Sequence, residues 1–301
     1  MPTRNILICT TIVSLFFYAS GYAAQQPRTD NVATSMRNAL LSGDIKDALT
    51  FYEVQAQQAE ENAATGVSSL RNWGAAINAY ITAGEAALFS AQLQKAVTYG
   101  EKALDIASRT RAPTVGRTNS QALYDPPFGE LGAVHLLIQA YKNVRDFEKA
   151  RTLLDRGFSL LKELQQNPSF DQITRLSQEG LLFSALGDDF LRRGEHPKAI
   201  DALSRAVELR RANFAARSRQ KIPAQTLENS ETLLIAVLVE LARAYKLSGR
   251  LNDAEEQYSE TLKHLGAGGT RSIYRQEVYL GLGEVYRFQK KSSLAFENFE
   301  K

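Results

Sequence analysis

What most constrains this chain is one arrangement of residues repeated around five alanines: Ala96, Ala150, Ala199, Ala254 and Ala295. Thirteen residues before them stand Ala83, Leu137, Leu186, Leu241 and Leu282. Twelve before stand Gly84, Ile138, Gly187, Ala242 and Gly283, and nine before stand Ala87, Tyr141, Phe190, Tyr245 and Tyr286. Repetition of this kind means that each unit is one supersecondary element, which buries its apolar face only by stacking on its neighbours.

Apolar residues inside each unit recur at spacings of three and four, the signature of a helix with one buried side. Leu186, Gly187 and Phe190 form one such stripe; Ala199, Ile200, Leu203, Ala206 and Val207 form the next. Between them Arg192-Arg193-Gly194-Glu195-His196-Pro197 reads as a helix end, a glycine turn and a new start with proline in its first turn. Ser248-Gly249-Arg250 repeats that turn. A glycine inside a helix costs ~1 kcal/mol relative to alanine. Gly84, Gly187 and Gly283 at matching positions therefore imply a close helix–helix approach that offsets the loss. The predicted unit is a hairpin in which the second helix lies against the small residue of the first.

These residues resemble the tetratricopeptide repeat (TPR) family. Its pattern is a leucine–small pair, an aromatic three residues on, then an alanine, an aromatic and a second alanine after the turn. Ala185 to Arg210 is the fullest copy, with Leu186-Gly187, Phe190, Gly194, Ala199, Leu203 and Ala206. Tyr245, Gly249, Ala254 and Tyr258 make another. The resemblance covers residues 70–301 and implies an all-α fold, an α-solenoid of antiparallel helical hairpins wound as a TPR-like superhelix. Successive alanines are 41 to 55 residues apart, against ~34 in the family, so helices or loops are longer here. Arg109–Gly129, Gln220–Asn229 and the glycine run Gly266–Gly269 are the expected connections. The organisation follows: residues 1–24 a leader, 25–32 a linker, 33–64 a degenerate capping hairpin around Ala48, and 65–301 five hairpins, the fifth truncated. The chain stops at Lys301 within a second helix, with no polar cap after Phe296 and Phe299. A bare apolar end is unfavourable for a repeat array, so a longer protein is expected, with a partner covering that end as the alternative.

The first residues form a separate object. Arg4 precedes an apolar run from Ile6 to Ala19, followed by small residues with Gly21 and Ala23 placed as a signal peptidase prefers. A cleaved secretory signal is the reading, with an uncleaved anchor over residues 6–24 as the alternative, since a span needs ~20 residues. Cys9 is the single cysteine and leaves with a cleaved leader. The remaining chain would then hold no disulfide, no cysteine metal ligand and no thiol nucleophile. Export to a bacterial periplasm fits best; retention at the inner membrane is the alternative.

No catalytic signature stands out. Zinc-protease, phosphate-loop and dinucleotide motifs are missing from the sequence. Ser159-Leu160-Leu161-Lys162 has a serine–lysine spacing but sits in a helical stripe without companion motifs. His135, His196 and His264 are scattered, so no metal and no cofactor is expected. A net charge of +3 implies no commitment to nucleic acid, although local patches still matter. Basic residues gather at Arg205, Arg210, Arg211, Arg217, Arg219 and Lys221, read as a solvated helix face, with contact to anionic lipid or an acidic partner as the alternative.

The resemblance implies a ligand lying along the first helices of successive hairpins. The matching positions are Glu85, Leu88, His135, Gln139, Lys142, Asp188, Arg192, Arg243, Lys246, Glu284 and Arg287. Lys142, Arg192, Lys246 and Arg287 recur at nearly equivalent places, a ladder of cations suited to an acidic protein or peptide. The Lys and Asn pair by which some cytosolic members clamp chaperone tails is missing from those positions. The expected function is a non-enzymatic, exported protein–protein interaction scaffold with no small-molecule substrate. Two alternatives remain: a recruitment region of a larger enzyme, such as a protease of the CHAT type with its catalytic domain beyond residue 301, or a membrane-tethered envelope assembly factor.

Overall fold

A computed structural model describes residue 42 and residues 44–65, 70–110, 126–166, 170–265 and 272–301. The described residues form helices joined by short turns. They are α1 (Ile45–Thr65), α2 (Leu70–Phe89), α3 (Leu93–Arg109), α4 (Pro126–Asn143), α5 (Phe147–Leu164) and α6 (Gln172–Arg192). There follow α7 (His196–Ser218), α8 (Ala224–Leu247), α9 (Leu251–His264), α10 (Ser272–Phe288) and α11 (Ser292–Phe299). Two compact units result, one ending at Arg175 and one running from Leu176 to Lys301. The leader 1–24, the linker 25–32, the glycine run 266–269 and most of the upstream half of the capping hairpin lie outside the described residues. So does most of the stretch between Arg109 and Gly129.

The repeat is explained by its turns. Ala91, Arg145, Gly194, Gly249 and Lys290 each hold a left-handed backbone, with φ of 58°, 65°, 72°, 78° and 61°. The next residue donates its amide across the turn to the carbonyl nine residues before the repeat alanine. These bonds are Gln92 to Ala87 at 2.8 Å, Asp146 to Tyr141 at 2.9 Å, Glu195 to Phe190 at 3.0 Å, Arg250 to Tyr245 at 2.9 Å and Lys291 to Tyr286 at 2.8 Å. This is the Schellman closure of a helix C-terminus. The same residue then starts the following helix: its carbonyl accepts the amide of Ala96, Ala150, Ala199, Ala254 or Ala295 at 3.0–3.2 Å. Backbone geometry does the capping, and only Asp146 adds a side-chain bond, to the Lys149 amide. Cations cover the aromatics at these helix ends: Lys149 over Tyr141, Arg193 over Phe190, Arg250 over Tyr245 and Lys291 over Tyr286, at 4.6–5.4 Å.

In the first unit α1 packs on α2, α2 on α3, α3 on α4 and α4 on α5, and α2 also touches α4. Lys95 and Lys102 of α3 reach back to Glu53 and Glu60 of α1, both at 2.6 Å. Residues 131–138 of α4 are buried without a break, so this helix is enclosed rather than amphipathic. In the second unit α8 plays that part. Leu234, Leu238 and Leu241 pack towards Leu191, Ala199 and Leu203, while Ile235, Val239 and Ala242 pack towards Ala254, Tyr258, Val278 and Leu282.

The small residues act as expected in two hairpins and differently in a third. A Cβ on Gly187 would stand 2.5 Å from Leu203 Cγ, and one on Gly283 2.4 Å from a ring carbon of Phe299, each on the second helix of its own hairpin. Gly84 instead receives Leu136 of α4, at 2.4 Å from Cδ2, so it seats the first helix of the next hairpin. The connection expected over Gln220–Asn229 is shorter than that. Helix α8 begins at Ala224, because the Pro223 carbonyl accepts the amides of Thr226 and Leu227 at 3.0 and 3.3 Å and starts the helix early. Likewise α4 begins at Pro126, inside the stretch expected as loop.

Competing magnitudes decide what substitutions at these positions do. Alanine at Gly187 gains ~1 kcal/mol of helix propensity, but its methyl meets the fully buried Leu203, an overpacking worth ~1–3 kcal/mol. Gly187→Ala should lower the urea-unfolding free energy of the chain; a rise would refute the close contact. Left-handed strain costs a non-glycine residue ~1–2 kcal/mol. Arg145→Gly and Lys290→Gly should therefore each stabilise by ~0.5 kcal/mol after the glycine's extra unfolded freedom is set against it. Gly194→Ala should destabilise, read from the same denaturation midpoints.

Candidate interaction face

In the second unit the first helices of the hairpins are α6, α8 and α10, and α8 adjoins α10. Asp188 of α6 accepts a bond from Arg192 Nε at 3.0 Å, one turn on. Its other oxygen lies 3.8 Å from Arg243 Nη2 of α8. The same Arg243 nitrogen is 2.5 Å from Glu240 Oε2, one turn earlier in α8. One turn later Lys246 pairs with Glu284 of α10. Charge thus alternates in sign across three helices, on side chains that are 14–36% exposed. Tyr258 of α9 lies beneath, its ring filling the space that a Cβ on Gly281 would take.

Glu277 of α10 belongs to this network without an ion pair among the described residues, and its Oε2 is buried and unpartnered. Burial, and then the nearby Glu240 charge, push its carboxyl up to about 7, against the pull of Arg243 and Lys246. Glu240 in turn holds the Arg243 guanidinium more firmly charged. Arg287 stands apart from these contacts, its guanidinium 5.0 Å from the ring centre of the exposed Phe288.

In the first unit the expected residues sit on α2 and α4, which adjoin each other. Glu85 of α2 is partly buried, and desolvation pushes its carboxyl well above the usual range. His135 of α4 is buried, Gln139 accepts the Asn143 amide on its backbone carbonyl at 2.8 Å, and Lys142 is half-buried at the end of the helix.

The structure therefore brings together Asp188, Arg192, Arg243, Lys246 and Glu284, and surrounds the three cations with carboxylates of the same chain. Sequence reasoning singled out the recurring cations and missed Glu240 and Glu277. Both were signalled: Glu240 stands one helical turn before Arg243, and Glu277 two turns before Glu284. The other motifs are absorbed locally. Ser159 Oγ donates to the Asp155 carbonyl at 3.0 Å, and His264 Nδ1 lies 3.1 Å from Glu231. Among the described residues no group of three or more His, Cys, Asp or Glu is placed to hold a metal ion.

No family model matches this sequence, and no curated protein does. Among solved structures it is similar to BtubC (BKLC) from P. vanneervenii, with a TM-score of 0.60 and 14% identity over 85% of this chain and 88% of that one. Two structures of a Podosopora anserina putative kinesin light chain with nearly identical TPR-like repeats align at TM-scores of 0.44 and 0.43. Each is 20% identical over 79% of this chain and 94% of its own. The chain has a TPR-like helical-repeat fold. At such identity the likeness is one of fold alone. In this fold the first helices of the second unit carry the alternating ion network, and the second helices carry the repeat alanines.

The elevated Glu277 gives a pH signature. An acid whose folded pKa is raised binds its proton more tightly in the folded state. Its stabilising effect is full below about pH 4.5 and is lost as pH rises through about 7. Glu277→Gln should therefore flatten the fall in stability between pH 5 and 8. At pH 8 it should exceed wild type by on the order of 1–3 kcal/mol. Parallel thermal melts of both proteins across that range check it; identical slopes would exclude Glu277 as the titrating group.

Proposed function

We propose that this chain is an exported, non-enzymatic scaffold that holds an extended segment of a protein partner across α6, α8 and α10. The observation that carries the reading is the ion network from Asp188 through Arg243 and Glu240 to Lys246 and Glu284. It spans successive first helices, remains part-exposed, and is satisfied internally. Such a face stays soluble alone and can exchange its internal pairs for a partner's charges. Because carboxylates already face the cations, a segment bearing both signs gains more here than a uniformly acidic one. Export rests on the leader-like residues 1–24, with the bacterial periplasm as the destination. Among the described residues no helix is long and apolar enough to cross a membrane.

The test uses affinity capture from native cells with the immobilised full chain. Arg243→Gln combined with Lys246→Gln should reduce partner recovery at least tenfold, the scale of a lost charge pair. Arg205→Gln, on α7, should leave recovery intact. Equal recovery in both would remove the face from consideration, and circular dichroism shows that the double variant stays folded. Sequencing the exported protein from its N-terminus checks the leader: a start near Ala24 supports cleavage, and retained Met1 supports an anchor.

A further inference from the structure

The basic run from Arg205 to Lys221 divides into two kinds. Arg205 reaches Glu208 and Glu179 at 3.1 and 3.5 Å, and Arg211 holds both Glu260 oxygens at 2.6 and 2.7 Å, all on the surface. Arg210 and Arg217 turn inwards and are only 2% and 7% exposed, the reverse of the solvated face expected from sequence. With Asn213 they form one stripe along the last turns of α7, and Arg217 Nε donates to Asn213 Oδ1 at 3.2 Å.

Arg210 lies across α6. A Cβ on Gly180 would stand 3.1 Å from its Nε and 3.4 Å from its Cζ, so the bare glycine makes room for the guanidinium. Nη1 reaches Ser177 Oγ at 3.5 Å, the outer limit of a hydrogen bond, and the buried Nε has no acceptor. Among the described residues no carboxylate pairs with Arg210. The charge that acts on it is Arg217, which repels it, and burial with that repulsion draws its pKa down to about 9. A guanidinium keeps its proton at neutral pH, and an uncompensated buried one costs a large share of a domain's stability. Five donors in a fixed fork, with one long bond between them, match a planar or tetrahedral oxyanion.

We propose that Arg210, with Ser177 beside it and Arg217 behind it, forms an oxyanion site between α6 and α7 that takes a carboxylate or phosphate group. An oxyanion there would turn the repulsion of the two guanidinium groups into a bridge and satisfy Nε. The site is distinct from the ion network, since Ser177 lies roughly 16 Å along the α6 axis from Asp188. It gives the scaffold a second point of selection, for a free anion or for an acidic group carried by a partner.

Thermal melts of the full chain test this, with inorganic phosphate or acetyl-glutamate amide added at constant ionic strength. A saturating ligand should raise the wild-type Tm by ~2–4 °C. Arg210→Met should abolish the shift, while Arg205→Gln should keep it. Should Arg210→Met fail to fold, Gly180→Ala and Arg217→Met carry the test. The first narrows the site with every charge in place and the second removes the rear charge; each should weaken apparent affinity at least fivefold. A shift with phosphate alone marks a free-anion site, and one with the glutamate derivative alone marks recognition of a partner's carboxylate. No shift with either, or a shift undiminished by both Gly180→Ala and Arg217→Met, overturns the proposal.

Discussion

The structure depends on the closeness with which paired helices approach at the repeat alanines. Ala96, Ala199 and Ala254 are fully buried, and Ala150 and Ala295 nearly so. Each contributes a methyl group where a longer side chain would force the helices apart, and each donates the first backbone bond of its helix to the residue that closes the preceding turn. Packing distance and turn geometry are thus tied to the same few positions. A helix pair closed in this way still has one apolar side, and the next pair covers it. The all-round burial of α4 and α8 is the consequence, since each is packed from more than one side.

Polar groups follow the same layering. Cations and carboxylates on successive second helices bind at the surface, as Lys95 does with Glu53 and Arg211 with Glu260. Such exposed pairs contribute little each and serve more to set register between neighbours. Tyrosines of first helices donate across the hairpin boundary, Tyr141 to Glu101 at 2.5 Å and Tyr286 to Glu255 at 3.2 Å. The first helices of the second unit keep charges of both signs half-shielded, where their interactions are stronger than in water and still open to exchange. Among the described residues of the second unit, the raised carboxyl of Glu277 and the buried guanidinium of Arg210 depart from this local neutrality. Both arise because helix packing removes a charged group from water without supplying a full set of partners.

Much of the fold was legible. The spacing of Leu186-Gly187, Phe190 and Ala199 already implies a helix, a short turn and a second helix, because a three-and-four periodicity admits only one buried side. The left-handed turns were visible at Gly194 and Gly249, where glycine advertises the conformation, and hidden at Ala91, Arg145 and Lys290, where the closure imposes it on residues that disfavour it. Gly84 showed that something approaches closely but not what, and its neighbour proved to be Leu136, some fifty residues on. The candidate face was legible as a set of first-helix positions, not as a circuit. That Arg243 would also meet Asp188 depends on how α6 and α8 are rotated about their axes.

By itself, the sequence determined that this chain makes helices, where they turn, and which small residues lie between them. These follow from local propensity, periodicity and steric size, which act over a few residues. Tertiary structure decided which charges are satisfied and which are stranded. The basic run shows the reason: Arg205, Arg210, Arg211 and Arg217 are chemically identical and close in sequence, yet helical rotation sends two to water and two into the protein. Solvation is set by what lies opposite a side chain, and for Arg210 that is Gly180, on another helix.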